Sequence, residues 1–223
     1  MSDGFSTDWL ALREPFDQAA RAATAIDPAF IAALQQRVPP GGALNVVDLG
    51  CGTGANLREI APRLGGRQHW RLVDHDARLL AALPAALAPW ATARGLQLRA
   101  EAGQPLVIDG ADGLHVEVTP HQADLVRGLH ALSLAGAHLV TASALLDLVS
   151  APWLDALLQR CQAEEAAVWW ALNVDDRIDW TPGDADDAQV HALFRAHQHR
   201  DKGFGPALGG AAALRVVDRL IGA

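Results

Sequence analysis

Residues 45–54 read N-V-V-D-L-G-C-G-T-G and carry the strongest chemical signal in the chain. Gly50, Gly52 and Gly54 alternate directly after an apolar run that ends in an acid, Asp48. Glycines at this spacing permit positive φ angles and leave no Cβ between the backbone and a ligand. The free N–H groups at the start of the following helix can hydrogen-bond a polar ligand. The segment therefore predicts a strand, a tight turn and a helix that together bind a nucleotide-like molecule.

The glycine spacing alone does not identify this ligand, because G-C-G-T-G-A also fits the loose dinucleotide pattern G-x-G-x-x-[GA]. Asp48 distinguishes the alternatives. A carboxylate at the end of the first strand would repel a pyrophosphate, but it would attract the cationic amino-acid end of a different ligand. We therefore favour a ligand that carries an ammonium group. A nicotinamide cofactor and a purely structural glycine turn remain as alternatives.

The stretch V-V-D-L-G-C-G-T-G resembles the first motif of class I S-adenosylmethionine-dependent methyltransferases, and the resemblance spans about residues 43–173. It implies an α/β fold with a doubly wound, mostly parallel, Rossmann-like sheet. It also implies methyl transfer from S-adenosyl-L-methionine by in-line displacement, with S-adenosyl-L-homocysteine as product. In that family the acid serves the methionine amino group, and the glycines let the ligand approach the backbone. The resemblance therefore assigns the cofactor to Asp48, Gly50, Cys51, Gly52 and Gly54.

A second acid lies at the end of the next predicted strand. Asp74 follows residues 69–73, about 20 residues beyond the glycine loop, where a carboxylate can accept both ribose hydroxyls. Its neighbour His75 is expected to contact the cofactor as well. The alternative role for Asp74 is to cap a helix over residues 77–93, a role that Asp76 could fill instead.

The resemblance assigns further cofactor residues. Asp124 would meet the adenine amine and the Leu125 N–H a ring nitrogen, although Asp124 could instead cap the following helix. Thr141, at the end of the fourth predicted strand, is expected beside the donor. In some relatives an N-terminal helix closes over the donor and a basic residue holds its carboxylate. Arg21 or Arg13 could do this here; the alternative is a solvated helix face.

Polar residues after the late strands are candidates for work on the methyl acceptor. His197 and His199 bracket a glycine-containing loop, and a neutral histidine is a base near pH 7. Asp147 is a third catalytic candidate, with helix capping or solvent exposure as the alternative. The candidate substrate residues are Ser143, Asn173 and Lys202. The histidine spacing, with His191 included, fits no metal motif, so we expect no metal.

The fourth strand departs from the family pattern. His138 stands where the family usually has an acid, and the amine-methylating N-P-P-Y type motif is absent. These differences argue against methylation of amino groups on nucleic-acid bases or glutamine.

Composition limits the classes of partner. The chain has 223 residues and a formal net charge of −8, which disfavours nucleic acid as a partner. Two distant cysteines indicate neither a disulfide framework nor a zinc site. The sequence M-S-D-G-F-S-T-D lacks the features of a signal peptide, and no apolar run reaches membrane-spanning length. We expect a cytoplasmic protein without a membrane partner; its oligomeric state is open, with a dimer as one alternative.

The order of elements must bring these residues to one edge of a sheet. We expect an N-terminal helical cap over residues 1–42 and one methyltransferase domain over 43–223. A hairpin is predicted between residues 96 and 108, next to the third strand and extending the sheet there. The five main strands are predicted at 43–49, 69–73, 115–119, 137–141 and 167–173. The β-hairpin that usually ends the family's sheet is not apparent in the remaining sequence.

Three functions fit these observations. The leading hypothesis is a methyltransferase that acts on oxygen or nitrogen of a small-molecule acceptor. The second keeps the donor but makes the acceptor a protein or RNA. The third is a non-catalytic binding module that retains the fold.

Overall fold

The computed structural model describes residues 6–23 and 26–221. Residues 1–5, which make up most of the N-terminal sequence considered for a signal peptide, therefore lie outside the described residues. Residues 1 and 223, the outer bounds of the two predicted domains, also lie outside them. In the described part, seven strands form one sheet in the order β3-β4-β5-β2-β1-β6-β7. The strands are β1 (Leu44–Leu49), β2 (Arg67–Asp74), β3 (Gln97–Arg99), β4 (Leu106–Asp109), β5 (His115–Gln122), β6 (Leu139–Ser143) and β7 (Ala167–Ala171).

Helices precede, connect and follow these strands. They are α1 (Thr7–Ala22), α2 (Pro28–Gln36), α3 (Ala55–Leu64), α4 (Ala77–Ala81), α5 (Leu83–Ala93), α6 (Leu125–Gly128), α7 (Ala151–Ala163), α8 (Asp187–Gln198) and α9 (Ala212–Ile221). Pro28 opens α2, and Asp27 caps it by accepting a hydrogen bond from the Ala29 N–H at 2.8 Å. None of the described helices is both long enough and apolar enough to cross a membrane.

The sheet confirms the predicted doubly wound, Rossmann-like fold. Strands β5, β2, β1, β6 and β7 run parallel, while β3 and β4 form the predicted antiparallel hairpin beside β5. Helices α2, α3 and α5 pack on one face of the sheet, and α7 and α9 pack on the other. The connections change face between β1 and β6, the place where ligands bind in open α/β sheets.

Several boundaries differ from the sequence predictions: β2 begins two residues earlier, β5 ends three residues later and β6 lies two residues further along the chain than predicted. Two other differences have a clear local cause. The helix predicted over residues 77–93 is divided at Ala82 into α4 and α5, because Pro84 lacks the N–H needed to continue a helix and is favourable near the start of a new one. Strand β7 ends at Ala171 rather than at Asn173, because Leu172 takes a positive φ of 58° that no strand accommodates.

Burial is deepest in the central strands. Five of the six β1 residues are buried, as expected for a parallel strand covered by helices on both faces. Every residue of β7 is only partly buried, because β7 pairs with β6 alone among the described residues. The sheet therefore presents an unpaired edge along β7.

Candidate functional site

The glycine loop leaves the carboxyl end of β1 with all three glycines in the left-handed region. Their φ angles are 65° at Gly50, 54° at Gly52 and 80° at Gly54. A Cβ at Gly54 would stand 3.1 Å from the Leu83 Cδ2, so a larger residue there would also require the Leu83 side chain to shift. The Cys51 N–H donates to the Val73 carbonyl at 3.0 Å, and this bond ties the loop to the neighbouring strand.

Asp48 is the most unusual residue of the site. Its side chain is buried, with 1% of its surface exposed. The Asn56 Nδ2 donates to the Asp48 Oδ1 at 2.9 Å and to the Thr141 Oγ1 at 2.8 Å, and the Thr141 hydroxyl donates to the Trp169 carbonyl at 2.7 Å. The Asp48 Oδ2 is also buried and has no hydrogen-bond partner among the described residues. A buried hydrogen-bond acceptor without a donor destabilises a fold, and the Asp48 Oδ2 is such an acceptor beside the glycine loop.

Burial sets the charge state of Asp48. Desolvation raises the pKa of this carboxyl to about 7, repulsion from Asp74 adds to the rise, and the Asn56 hydrogen bond and attraction from Arg21 oppose it. A cation placed beside the free oxygen would stabilise the carboxylate and lower its pKa. The site is therefore suited to a positively charged group.

Asp74 lies across the loop from Asp48, at the end of β2. Its Oδ2 accepts a hydrogen bond from the Gly52 N–H and its Oδ1 one from the Asp76 N–H, both at 2.9 Å. Asp76, and not Asp74, caps α4 by accepting from the Arg78 N–H. The His75 Nδ1 lies 3.3 Å from the Asp74 Oδ1 on an exposed ring. Asp74 thus faces the glycine loop, which is the position that a carboxylate needs in order to bind the ribose of a ligand held by this loop.

Helix α1 brings a cation to the same edge. The Arg21 Nη2 donates to the Ser143 Oγ at the end of β6, at 2.8 Å. Burial lowers the pKa of Arg21, while attraction from Asp48 opposes this effect. Arg13, the other candidate, pairs with Asp17 on its own helix at 2.9 Å. The structure therefore places Arg21, rather than Arg13, in direct contact with the candidate site.

A buried ion pair fastens α1 over the glycine loop. The Arg58 Nε and Nη2 both donate to the Glu14 carboxylate at 2.7 Å, and the Arg58 Nη1 donates to the Thr53 carbonyl at 2.7 Å. The Arg58 side chain is 5% exposed. A Cβ at Gly52 would stand 3.3 Å from the Leu10 Cδ1, so α1 also covers the loop backbone. Neither Glu14 nor Arg58 was predicted from the sequence.

Asp124 and Leu125 follow β5, which neighbours β2. The Asp124 Oδ1 accepts from the Val126 N–H at 2.9 Å and caps α6, the alternative considered for this residue. Leu125 is buried, and its carbonyl accepts from the Trp153 Nε1 at 2.8 Å. Contact of this pair with adenine stays a prediction.

Asp147 is a further buried acid at the carboxyl edge. It lies in a short 3-10 turn after β6, 8% exposed, and its Oδ1 has no partner among the described residues. Burial raises its pKa, and attraction from Arg13 on α1 opposes the rise. The Asn173 Oδ1, from the end of β7, accepts from the Leu146 N–H at 3.2 Å and holds this turn. The turn thus brings Asp147 and Asn173 close together, whereas the Ser143 hydroxyl contacts Arg21.

Two residues with strained backbone flank this edge. Ala144, after β6, has a φ of 52°, and Leu172, after β7, has a φ of 58°. Such conformations cost about 1–3 kcal/mol each for residues other than glycine and are frequent at functional sites.

The remaining acceptor candidates lie on a different segment. His197 and His199 are at the end of α8; the Lys202 Nζ lies 3.2 Å from the His197 Nε2, and the His199 Nδ1 lies 3.1 Å from the Ala207 carbonyl oxygen. All three side chains are exposed. None of their hydrogen bonds within residues 6–23 and 26–221 reaches the glycine loop. His138 lies at the opposite end of β6, where its Nδ1 accepts from the Asn45 N–H at 2.9 Å.

Asn56 is the residue that sequence analysis missed at the centre of the site. It belongs to the first turn of α3, and its amide bridges β1 and β6 at the point where the connections change face. Its place two residues after Gly54 was visible in the sequence. Its partners were not, because the bond to Thr141 joins residues 85 positions apart.

Comparisons with known proteins add a weak likeness. No family model and no curated protein matches the chain. A crystal structure of an S-adenosylmethionine-dependent methyltransferase from Mesorhizobium loti matches at 21% identity over 65% of this chain and 54% of that one, with a TM-score of 0.38. A putative S-adenosylmethionine-dependent methyltransferase from Listeria monocytogenes matches at 15% identity over 69% and 61%, with a TM-score of 0.39.

An arsenic(III) S-adenosylmethionine methyltransferase from Chlamydomonas reinhardtii matches at 17% identity over 89% of this chain and 62% of that one, with a TM-score of 0.43. The chain thus spans between 54% and 62% of the length of these three structures. At these scores the likeness carries no argument about activity. The function has to be argued from the residues at the carboxyl edge.

Proposed function

We propose that this chain is an S-adenosylmethionine-dependent methyltransferase that moves a methyl group to an oxygen or nitrogen atom of a small-molecule acceptor. The observation that carries the proposal is the buried Asp48, which has one unpartnered oxygen beside a glycine loop in the left-handed conformation. An ammonium group next to that oxygen would supply both the missing hydrogen bond and the opposite charge. The residues present therefore fit the amino-acid end of the donor.

Other cofactor roles follow from position. Asp74 faces the glycine loop and would accept the ribose hydroxyls, beside His75. Asp124 and Leu125 would meet the adenine at the next strand end. Arg21 would hold the carboxylate of the methionine part, because its guanidinium already reaches the end of β6.

When bound, the donor supplies a methyl carbon on a cationic sulfur; a lone pair of the acceptor bonds to that carbon while the carbon–sulfur bond breaks and leaves its electron pair on S-adenosylhomocysteine. The protein has to align the acceptor and, for a hydroxyl or protonated amine, take up a proton. Asp147 is the best-placed residue for that role, since it is buried, has a free oxygen and has a raised pKa. Ser143 and Asn173 would orient the acceptor, with Lys202, His197 and His199 contributing from the α8 loop.

The net charge of −8 favours a small-molecule acceptor over RNA, because an acidic chain repels a phosphate backbone. Methylation of a protein or RNA, and a non-catalytic binding module, are the alternatives. Location in the cytoplasm and any dimer remain predictions.

Binding is tested by calorimetric titration with S-adenosylhomocysteine, with NADH as a parallel control. We expect micromolar binding of the first ligand only. Asp74→Asn should weaken it by about tenfold or more, since a neutral amide loses the charge-assisted bonds to ribose. Asp76→Asn is the matched control, because it lies two residues away and asparagine keeps the helix cap. Equal affinity in the two variants would remove Asp74 from the site.

Turnover is tested by mass spectrometry of S-adenosylhomocysteine formed with a panel of hydroxyl and amine acceptors. Asp147→Asn should lower kcat while leaving the dissociation constant of S-adenosylhomocysteine within about twofold, because a proton acceptor acts only in the chemical step. Ser133→Ala, at a hydroxyl that caps a turn in the β5–β6 connection, is a control for substitution outside the site. Donor binding without turnover on any acceptor would favour the binding-module alternative.

A further inference from the structure

A cleft of about 610 Å³ lies between α1, α2, α3 and the outer strand β7. Three aromatic side chains, Phe30, Trp169 and Trp170, line it together with aliphatic and charged residues. The rings of Phe30 and Trp169 meet edge to face, with centroids 6.1 Å apart and planes at 86°. A cleft of this size is typical of small-molecule sites, and indole and phenyl rings favour planar apolar ligands.

The cleft exists because β7 is the outer strand of the described sheet. Residues 168–172 all line it, although side chains of successive strand residues point to opposite faces. Trp169 packs toward the face covered by α2 and α3, and Trp170 toward the face covered by α7. A ligand along this edge would thus contact indoles that belong to both faces of the sheet.

The charges that line the cleft balance. Glu59 pairs with Arg63 one turn along α3, and the Asp27 carboxylate is hydrogen-bonded at the start of α2. Arg21 is the remaining charged residue of the lining. A charged ligand of either sign would gain little electrostatic attraction from lining residues whose charges balance. A neutral aromatic ligand, by contrast, has a small desolvation cost when it leaves water.

Arg21 joins the cleft to the candidate active site. It lines the cleft, donates to the Ser143 Oγ at 2.8 Å and is attracted by Asp48. Leu172, with its positive φ, lines the same end of the cleft. A molecule that fills the cleft therefore has one end at the carboxyl edge of β6 and β7.

We infer that this cleft binds the methyl acceptor, and that the acceptor is a neutral, planar aromatic molecule with a hydroxyl or amino group at one end. Its rings would lie against Phe30 and Trp169, with Trp170 beside them at the edge of β7, and its polar end would lie at Ser143, next to the donor-binding Arg21. This inference rests on the proposed function for the acceptor role, but the aromatic site itself does not.

The test uses 2-naphthol as a probe, titrated by calorimetry into the full chain without donor. The matched control ligand is decahydro-2-naphthol, which has the same skeleton and hydroxyl but is saturated and not planar. We expect 2-naphthol to bind at least about tenfold more tightly than the saturated alcohol, through stacking against the aromatic walls. Equal affinity for the two ligands would overturn the inference.

Two variants, one on α2 and one on β7, locate the site. Trp169→Leu and Phe30→Leu should each weaken 2-naphthol by about fivefold to tenfold. Trp180→Leu is the control, since Trp180 is 38% exposed and outside the lining. The Phe30 variant keeps the test decisive if the strand variant does not fold. Wild-type affinity in a folded wall variant would contradict the assignment.

Separate titrations distinguish this inference from the proposed function. Binding of 2-naphthol without binding of S-adenosylhomocysteine would support the aromatic site and overturn its role as an acceptor site. Binding of S-adenosylhomocysteine without 2-naphthol would leave the methyltransferase proposal and overturn the aromatic cleft. With both bound, formation of 2-methoxynaphthalene from S-adenosylmethionine would establish the acceptor role.

Discussion

Replacing Asp48 by asparagine should stabilise the fold. Burial raises the pKa of this carboxyl from 3.8 to about 7. A raised acid pKa means that the folded state resists ionisation, so the contribution to stability is complete below pH 4 and is lost as the pH rises through 7. Three pKa units at about 1.4 kcal/mol each give a loss of at most about 4 kcal/mol above pH 7. The Asn variant avoids this loss of stability. The gain is reduced by the attraction between Arg21 and the Asp48 carboxylate, which the variant lacks.

The same substitution should weaken donor binding. If the ligand ammonium binds only ionised Asp48, affinity for S-adenosylhomocysteine should increase about tenfold from pH 6 to pH 8, because the carboxyl must first lose its proton at a pKa of about 7. In Asp48→Asn this pH dependence should disappear and affinity at pH 8 should fall by at least about tenfold. Ionisation of S-adenosylhomocysteine itself affects the wild type and the variant equally, so the difference between their pH profiles reports on Asp48.

Thermal unfolding at pH 4 and pH 8 measures the first effect, and calorimetric titration measures the second. We expect Tm to rise by at least about 5 °C at pH 8 and by less than about 2 °C at pH 4. Asp76→Asn is the matched control, because hydrogen bonds from Arg78 lower the pKa of Asp76 to about 2 and its removal should change stability in the opposite direction. A wild-type-like Tm at pH 8, or a flat affinity profile in the wild type, would refute the reasoning.

Two further predictions concern the elements around the glycine loop. Glu14→Gln should cost about 1–2 kcal/mol by leaving the buried Arg58 without its charged partner, and should speed hydrogen exchange in α1; unchanged exchange would show that this pair does not hold the helix. Gly54→Ala should destabilise more than Gly41→Ala in urea unfolding, because both have positive φ but only Gly54 would bring a Cβ within 3.1 Å of Leu83; equal losses would mean that the side chain moves aside freely.

Local chemistry made much of the fold predictable. The glycine loop, the five parallel strands and the β3–β4 hairpin follow from short apolar runs bounded by glycine, proline and aspartate. The division at Ala82 was missed because the helical pattern of residues 77–93 continues across it, although Pro84 disfavours an uninterrupted helix.

The side-chain contacts of the site could not be predicted in the same way. Arg58 lies on a helix where charge normally indicates solvent, yet it is 5% exposed because Glu14 and the Thr53 carbonyl meet its guanidinium. Arg21 and Ser143 are 122 positions apart, and only the packing of α1 across the sheet edge joins them. Sequence periodicity shows which face of a helix is apolar, but not which distant group completes a polar contact.

Several energetically costly features of this structure lie where the proposed chemistry would take place. Asp48 and Asp147 each keep a buried oxygen without a partner, and Ala144 and Leu172 each hold a positive φ, all at the carboxyl edge of β1, β6 and β7. None of these features stabilises the fold. Substitutions selected only for stability would replace the unpartnered carboxylates and the residues with positive φ. Their common location argues that this edge is adapted to a ligand, because a bound cation and acceptor would supply the partners that the protein leaves out.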